Sequence, residues 1–198
     1  MWHGGQSQHI VITLKAFASK LRRSAPKSLR AIRSDERGAT LVEFGFVITP
    51  FAALMVAILQ TSLTFFAQQN LETAAEKSVR QLMTGQAQRA NMSQTQFKAL
   101  VCTKIPTFMK CSNVIVDVQQ ASSFATVSTA PPTITYDASG TAKQGAYTPG
   151  IGGTINIVKI MYIWDEQKGP LGFDLSTMSS GKRLLITTSV FRVEPYVS

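Results

Sequence analysis

An apolar run of 23 residues without a charge extends from Phe44 to Phe66, with the sequence FGFVITPFAALMVAILQTSLTFF. A helix of this length reaches about 34 Å, slightly more than the roughly 30 Å hydrocarbon core of a bilayer. A buried helix of a soluble protein is the alternative, but such helices are rarely apolar on every side over this length. The run therefore predicts a transmembrane helix, and Pro50 predicts a kink within it because proline removes a backbone hydrogen bond.

Positive charge is concentrated ahead of this run. Residues 1–38 contain eight Lys or Arg and two acids, so they hold +6 of the net +9 of the chain. The positive-inside rule then places the N-terminus in the cytoplasm and the residues after the run on the far side of the membrane. A nucleic-acid-binding protein would carry its basic residues on the folded domain, so no nucleic-acid partner is expected. The sequence predicts a leader over residues 1–38, a transmembrane helix over 39–66 and an external domain over 67–198.

The helix is expected to continue beyond the membrane, to about residue 86. Residues 67–84 contain neither Pro nor Gly. Apolar residues recur there at helical spacing, which gives a narrow stripe that needs a packing partner. The members of this stripe are Leu71, Ala75, Val79 and Leu82 or Met83.

Past the long helix, the pattern changes to a second helix and then to strands. Ser93 and Gln96 fit a capping box at a helix start, and Pro106 limits that helix. Residues 120–153 are rich in Ala, Ser, Thr, Pro and Gly and predict a long surface connection. Alternating apolar residues predict three strands, at 114–119, 154–164 and 183–193. The expected fold is α+β, a long helix packed on a small antiparallel sheet.

The two cysteines, Cys102 and Cys111, both follow the apolar run. On the oxidising side of a membrane they are expected to form a disulfide, and two buried free thiols are the alternative. Their spacing and the lack of a nearby histidine predict no metal site.

The sequence offers little for catalysis. The only histidines, His3 and His9, lie in the predicted leader, and no nucleophile elbow or complete phosphate-binding loop occurs. A pair of catalytic carboxylates is conceivable, but scattered acids are more often solvated surface charges. Neither an enzymatic activity nor a cofactor is expected.

A short motif stands at the start of the apolar run, Arg37-Gly38-Ala39-Thr40-Leu41-Val42-Glu43-Phe44. A carboxylate in a membrane helix is costly, by on the order of 2.5–3.5 kcal/mol at the bilayer centre. Glu43 could lie shallow and reach water. Alternatively, cleavage after Gly38 would create an α-amino group at Ala39, one helical turn before Glu43.

This arrangement resembles the type IV prepilins, which have a basic leader, a cut after glycine and Glu at the fifth mature position. The Glu43-Phe44 pair is similar to that of the tight adherence (Tad, or Flp) pilus branch, and the chain most resembles the TadE-like pseudopilins of that branch. The resemblance covers most of residues 33–90 well and the last fifteen residues, with the ending Phe191–Pro195, moderately. It hardly extends to residues 115–180. The long leader and Pro50 depart from the usual pattern.

The resemblance implies a pilin-like fold and a minor pilin of the bacterial inner membrane, cleaved between Gly38 and Ala39 by a prepilin peptidase. Glu43 and Phe44 would serve assembly of an adhesive pilus. The implied partners are other pilin and pseudopilin subunits, the inner-membrane assembly platform and the lipid bilayer. The alternative function is an unprocessed, single-pass membrane-anchored scaffold or binding protein, in which Glu43 has no special role.

Overall fold

The computed structural model describes residues 36–166 and 168–196, so most of the predicted leader lies outside the described residues. The structure falls into two units, the first ending at Ala52 and the second beginning at Ala53. One helix, α1 (Glu36–Met83), supplies all the described residues of the first unit and continues into the second.

Helix α1 contains 48 residues, with Pro50 inside it. It ends at Met83, three residues before the predicted limit, because the backbone turns at Gly85. Gly85 has φ +71, a conformation that glycine adopts at little cost. The ring of Tyr196 also occupies the space that a Cβ at Gly85 would need. A short helix, α2 (Gln86–Arg89), follows directly.

The next helix, α3 (Gln94–Cys102), begins with the capping box expected from the sequence. The Ser93 side chain accepts a hydrogen bond from Gln96 N at 3.3 Å, and Gln96 Oε1 accepts one from Ser93 N at 2.8 Å. These bonds satisfy donors that a helix start otherwise leaves unpaired. The buried residues of α3 are Phe97 and Val101.

The second unit contains a three-stranded antiparallel sheet with strand order β1-β2-β3. The strands are β1 (Val114–Ala121), β2 (Ile155–Trp164) and β3 (Arg183–Arg192). All three agree with the predicted strands to within two residues. In the register, Asp117 lies opposite Lys159, and Tyr162 lies opposite Leu185.

The core lies between one face of this sheet and the helices. The predicted stripe of α1 is buried, with Leu71 and Leu82 fully inaccessible. It packs in one cluster with alternate residues of the strands, such as Val116 and Ile160, and with Phe97 of α3. The second face carries a smaller cluster around Ile115, Met161 and Ile163. The predicted α+β class is therefore confirmed.

The first two residues of the predicted connection over 120–153 belong to β1, and the rest contains only a short 3-10 turn, Phe124–Thr126, as regular structure. One part of it nevertheless lies along the outer edge of β1. Val118 N donates to Ala146 O at 2.8 Å, and Val118 O accepts from Thr148 N at 2.8 Å. This segment therefore covers an edge that would otherwise expose unpaired backbone groups.

Candidate functional site

The predicted processing and assembly residues lie in the first turns of α1. Gly38 and Ala39 are already inside the helix, which begins at Glu36. A Cβ added at Gly38 would meet no atom within 4 Å, so the glycine is not required by packing among the described residues. Ala39 and Glu43 are four residues apart and therefore lie on the same helix face, one turn from each other.

Glu43 is exposed, and among the side chains that the structure describes none forms an ion pair with it. The side chain of Phe44 beside it is 61% exposed. The structure thus brings Glu43 and Phe44 to an accessible surface of one helix. It supplies no partner for the carboxylate from residues 40–166 or 168–196.

The helix around Glu43 is apolar on every side. Its large side chains are 59–77% exposed at Leu41, Val42, Phe44, Phe46 and Val47. Within Thr40–Met83, the most apolar 18-residue window has a mean hydropathy of 2.2 and is not buried at all. Since water solvates such a surface poorly, this part of the helix needs lipid or other helices around it. Among the described residues, this is the one helix long and apolar enough to cross a membrane.

The environment of α1 changes near Thr64. Leu63 is 58% exposed, whereas Thr64 is 4% exposed and Ala67 is fully buried. From Ala67 onward one side of the helix packs on the sheet and the other faces outward. A single helix therefore combines an apolar exposed segment with an amphipathic segment.

Contacts between α1 and the sheet domain begin before the predicted boundary at residue 66. Thr64 Oγ1 donates a hydrogen bond to Glu166 Oε2 at 3.3 Å. Gly169 approaches Gln60 so closely that an added Cβ would lie 2.6 Å from Gln60 Oε1. No periodicity or motif in the loop after β2 indicated this contact.

An aromatic cluster lies at the same end of the domain. Phe66 of α1 stacks on Phe108, with ring centroids 5.7 Å apart, and Phe108 meets the edge of Trp164 at 6.4 Å. Tyr162 continues the cluster, 6.2 Å from Trp164. The sequence contained these rings but gave no indication that they meet.

The disulfide predicted between Cys102 and Cys111 is present, with Cα atoms 5.5 Å apart. It closes the loop that carries Phe108, and Lys110 N in this loop donates a hydrogen bond to the Tyr162 hydroxyl at 2.8 Å. Burial raises the pKa of Tyr162; the bond from Lys110 opposes this shift, and the nearby Asp165 carboxylate reinforces it. The bridge therefore holds the loop against the end of β2.

No group of three His, Cys, Asp or Glu side chains within residues 36–166 and 168–196 is placed to hold a metal ion. The polar groups on the second face of the sheet are engaged in structural bonds. Lys159 Nζ donates to Ala130 O at 2.7 Å, and Asp117 Oδ1 accepts from Ala146 N at 2.9 Å.

Comparison with known proteins gives one match. Residues 38–80 match the family model described as TadE-like protein. No curated protein and no solved structure matches the chain significantly. The matched segment begins at Gly38, contains Glu43 and includes most of the stripe that packs on the sheet. The exposed apolar helix and this match together indicate a single-pass, pilus-associated membrane protein. The resemblance to TadE-like proteins that the sequence predicted is thus confirmed over residues 38–80.

Proposed function

We propose that the chain is a minor pilin or pseudopilin that a prepilin peptidase cleaves between Gly38 and Ala39. It takes part in assembling an adhesive pilus of the Tad (Flp) type and has a structural role. The observation that carries this proposal is the TadE-like segment, which starts at Gly38 and places an exposed Glu43 on an apolar helix. In that setting the Glu43 carboxylate would be stabilised by an ion pair with the α-amino group that cleavage would create.

The proposed topology follows the charge distribution. Residues 1–38 form a basic cytoplasmic leader, residues 39–66 the span, and residues 67–198 a periplasmic domain. The net +6 of the leader supports this orientation in the bacterial inner membrane. Cys102 and Cys111 would then lie in a compartment where disulfides form and persist.

Processing requires local opening of the helix start. The bond between Gly38 and Ala39 lies in helical backbone near Glu36, where the helix begins. Helix ends fray at a small cost in free energy, so the peptidase can reach this bond without unfolding the span. Gly38 has no side chain, and no described atom lies within 4 Å of where its Cβ would stand, so the backbone at this position is accessible to the enzyme.

After cleavage, the amino group of Ala39 is the proposed partner of a Glu43 carboxylate. The partner is the amine of the same chain, one turn away, or that of a neighbouring subunit in an array of parallel helices. Pairing would relieve part of the cost of a carboxylate near lipid. The exposed apolar side chains around Glu43 would pack on the helices of other pilin subunits, while the domain contacts further subunits or the assembly platform.

The deciding experiment is an intact mass of the membrane-extracted protein from cells with and without the prepilin peptidase. Loss of residues 1–38 only in the presence of the peptidase is the expected result. A full-length chain in both cells would contradict the proposal and favour the unprocessed scaffold.

The glycines of α1 provide a matched control. Gly38→Val is expected to abolish processing, whereas Gly45→Val is expected to be processed normally. Both positions leave open space for a side chain, so neither substitution should disturb packing among the described residues. Equal processing of the two variants would place the cut elsewhere.

A further inference from the structure

The loop that follows β2 descends along α1 toward its apolar segment. We name residues 168–173 of this loop the basal loop. Gly169 lies against Gln60, and just before the basal loop Glu166 accepts a hydrogen bond from Thr64. These two contacts fix the loop next to a stretch of helix whose other side chains, such as Leu59 and Leu63, are 58–59% exposed.

The position of the contacts sets the height of the basal loop relative to the membrane. Gln60 precedes Phe66, the last residue of the apolar run, by six residues, or about 9 Å along the helix. Each interfacial zone of a bilayer is roughly 5–8 Å thick. A hydrocarbon core of about 30 Å takes up roughly 20 helical residues, so a core that begins near Thr40 ends near Gln60. The turns from Gln60 to Phe66 then lie in the outer interface, at the level of the basal loop.

The tip of the basal loop, residues 169–172, is apolar and uncharged. Gly169, Pro170, Leu171 and Gly172 carry no charge, and Leu171 is 79% exposed. Leu171 also has φ +57, a left-handed conformation that costs a residue with a side chain about 1–2 kcal/mol. The turn around Leu171 is closed by Gly169 N, which donates to Phe173 O at 2.7 Å, and by Phe173 N, which donates to Pro170 O at 3.2 Å. This turn holds the Leu171 side chain out from the described domain, where an apolar partner could bury it.

The aromatic cluster lies at the same end of the domain as the basal loop. Phe108 is 48% exposed although it stacks on Phe66, and the partly buried Trp164 lies beside it. Aromatic side chains, above all Trp and Tyr, are enriched where membrane meets water. Phe108 and the tip of the basal loop are thus two apolar projections at the end of the domain where α1 becomes exposed.

The charges near the basal loop are compatible with this placement. Asp165 pairs with Lys182 at 3.0 Å, and Glu166 is bonded to Thr64. Lys168, at the start of the basal loop, is exposed and can extend toward lipid phosphates. At the other end of the basal loop, Asp174 is exposed, accepts a hydrogen bond from Ser176 N at 2.8 Å and lies near Lys168. The charges that flank the tip are therefore balanced, and the tip itself is uncharged.

We propose that the basal loop, together with Phe108, enters the outer interfacial zone of the bilayer that α1 spans. The partner of this surface is the phospholipid interface, and Leu171 is its central anchor. This contact would seat the domain on the membrane before assembly. The proposed contact requires that α1 spans the membrane, but it does not require a role in the pilus. It can therefore be tested independently of processing after Gly38.

The test uses the full chain reconstituted in phospholipid vesicles at low protein density. A single cysteine at Leu171→Cys carries an environment-sensitive fluorophore, while Cys102 and Cys111 stay unreactive as a disulfide. Quenchers attached to the lipid, either near the headgroup or at the chain centre, report the depth of the label. The expected result is a blue-shifted emission that the headgroup-proximal quencher reduces more than the deep one.

Two control positions separate the outcomes. Ile151→Cys places a label at a similarly exposed apolar residue, 70% accessible, just before the opposite end of β2. That label is expected to stay water-like. Leu54→Cys labels the middle of the exposed apolar segment and is expected to respond most to the deep quencher.

Three outcomes would overturn the proposal. If the Leu171 label behaves like the Ile151 label while the Leu54 label is quenched, the domain stands clear of the bilayer. If the Leu54 label is not quenched either, the membrane span itself is wrong. If the Leu171 emission is blue-shifted but no lipid quencher affects it, a second copy of the chain covers the basal loop instead.

Discussion

Phe66, the last residue of the apolar run, stacks on Phe108 of the disulfide-closed loop, with ring centroids 5.7 Å apart and an interplanar angle of 25°. The contact joins the point where α1 leaves its exposed segment to a loop whose ends are tied by Cys102 and Cys111. The bridge therefore stabilises the part of the domain nearest the predicted membrane surface.

Replacing both Cys102 and Cys111 by Ala is expected to lower the free energy of unfolding by about 2–3 kcal/mol. The bridge restricts the unfolded chain, and without it the unfolded state gains conformational entropy. Urea unfolding of the full chain in detergent, followed by Trp164 fluorescence on a Trp2→Phe background, measures this change. Reduction of the parent protein should produce the same loss. An unchanged unfolding midpoint for the double variant would show that the bridge contributes nothing to stability.

The two environments of α1 predict a contrast between two leucines. Leu71 is fully buried against the sheet, whereas Leu63, eight residues earlier, is 58% exposed. Leu71→Ala is expected to destabilise the domain by about 2–5 kcal/mol because it leaves a cavity. Leu63→Ala is expected to change the same unfolding transition by no more than about 0.5 kcal/mol. Equal effects of the two substitutions would mean that the boundary near Thr64 is wrong.

Tyr162 predicts a loss of stability at alkaline pH. Burial raises its pKa, and that of Tyr147, in the folded state. The unfolded phenol ionises at a pH of about 10, so stability is fully present below that value and is lost as the pH rises through the higher folded pKa. Tyr162→Phe removes the hydroxyl that accepts the hydrogen bond from Lys110 N. This loss is expected to lower the free energy of unfolding by about 1 kcal/mol at every pH.

The measurement is the unfolding free energy of the parent and of Tyr162→Phe as a function of pH. Below pH 9 or so, well under the unfolded pKa, the two curves should run parallel. Above about pH 10 the parent should fall more steeply than the variant. The slope left in the variant combines Tyr147 with the opposite contribution of Lys98, whose pKa is lowered by burial. Parallel curves over the whole range would contradict the role of Tyr162.

Much of this fold could be predicted because its signals are local. The charge-free run, the stripe around Leu71 and the Ser93 capping box each follow from periodicity or spacing within one helix. The three strands alternate between the two faces of the sheet, as their sequences indicated. The sequence also indicated the disulfide, because both cysteines follow the span.

The structural features that the sequence did not predict depend on contacts between segments that are distant along the chain. Residues near Ala146 bond to Val118 along the edge of β1, although their sequence lacks the alternation of a strand. The contacts of Gly169 with Gln60 and of Phe108 with Phe66 join residues more than 40 positions apart. Such pairings depend on tertiary packing, which produces no periodic pattern in the amino-acid sequence. At the candidate site, the structure shows that Glu43 is exposed, and none of the described side chains forms an ion pair with it.

The proposed assembly role makes its sharpest prediction at Glu43. In Glu43→Ala the chain should still be processed, because the residue lies five positions beyond Gly38 and the helix start is unchanged. Association with other pilin subunits should be lost, since the carboxylate that attracts an α-amino group is gone. Intact mass of the mature chain and co-purification of other pilin subunits from detergent extracts measure the two effects separately.

Glu76→Ala is the matched control, because Glu76 is an exposed carboxylate of the same helix beyond the apolar run. It should leave both processing and association as in the parent. A conservative variant, Glu43→Asp, keeps the charge but shortens its reach and should retain part of the association. Undiminished co-purification with Glu43→Ala would refute the pairing of Glu43 with an amine. The exposed carboxylate would then be explained by a shallow position with access to water.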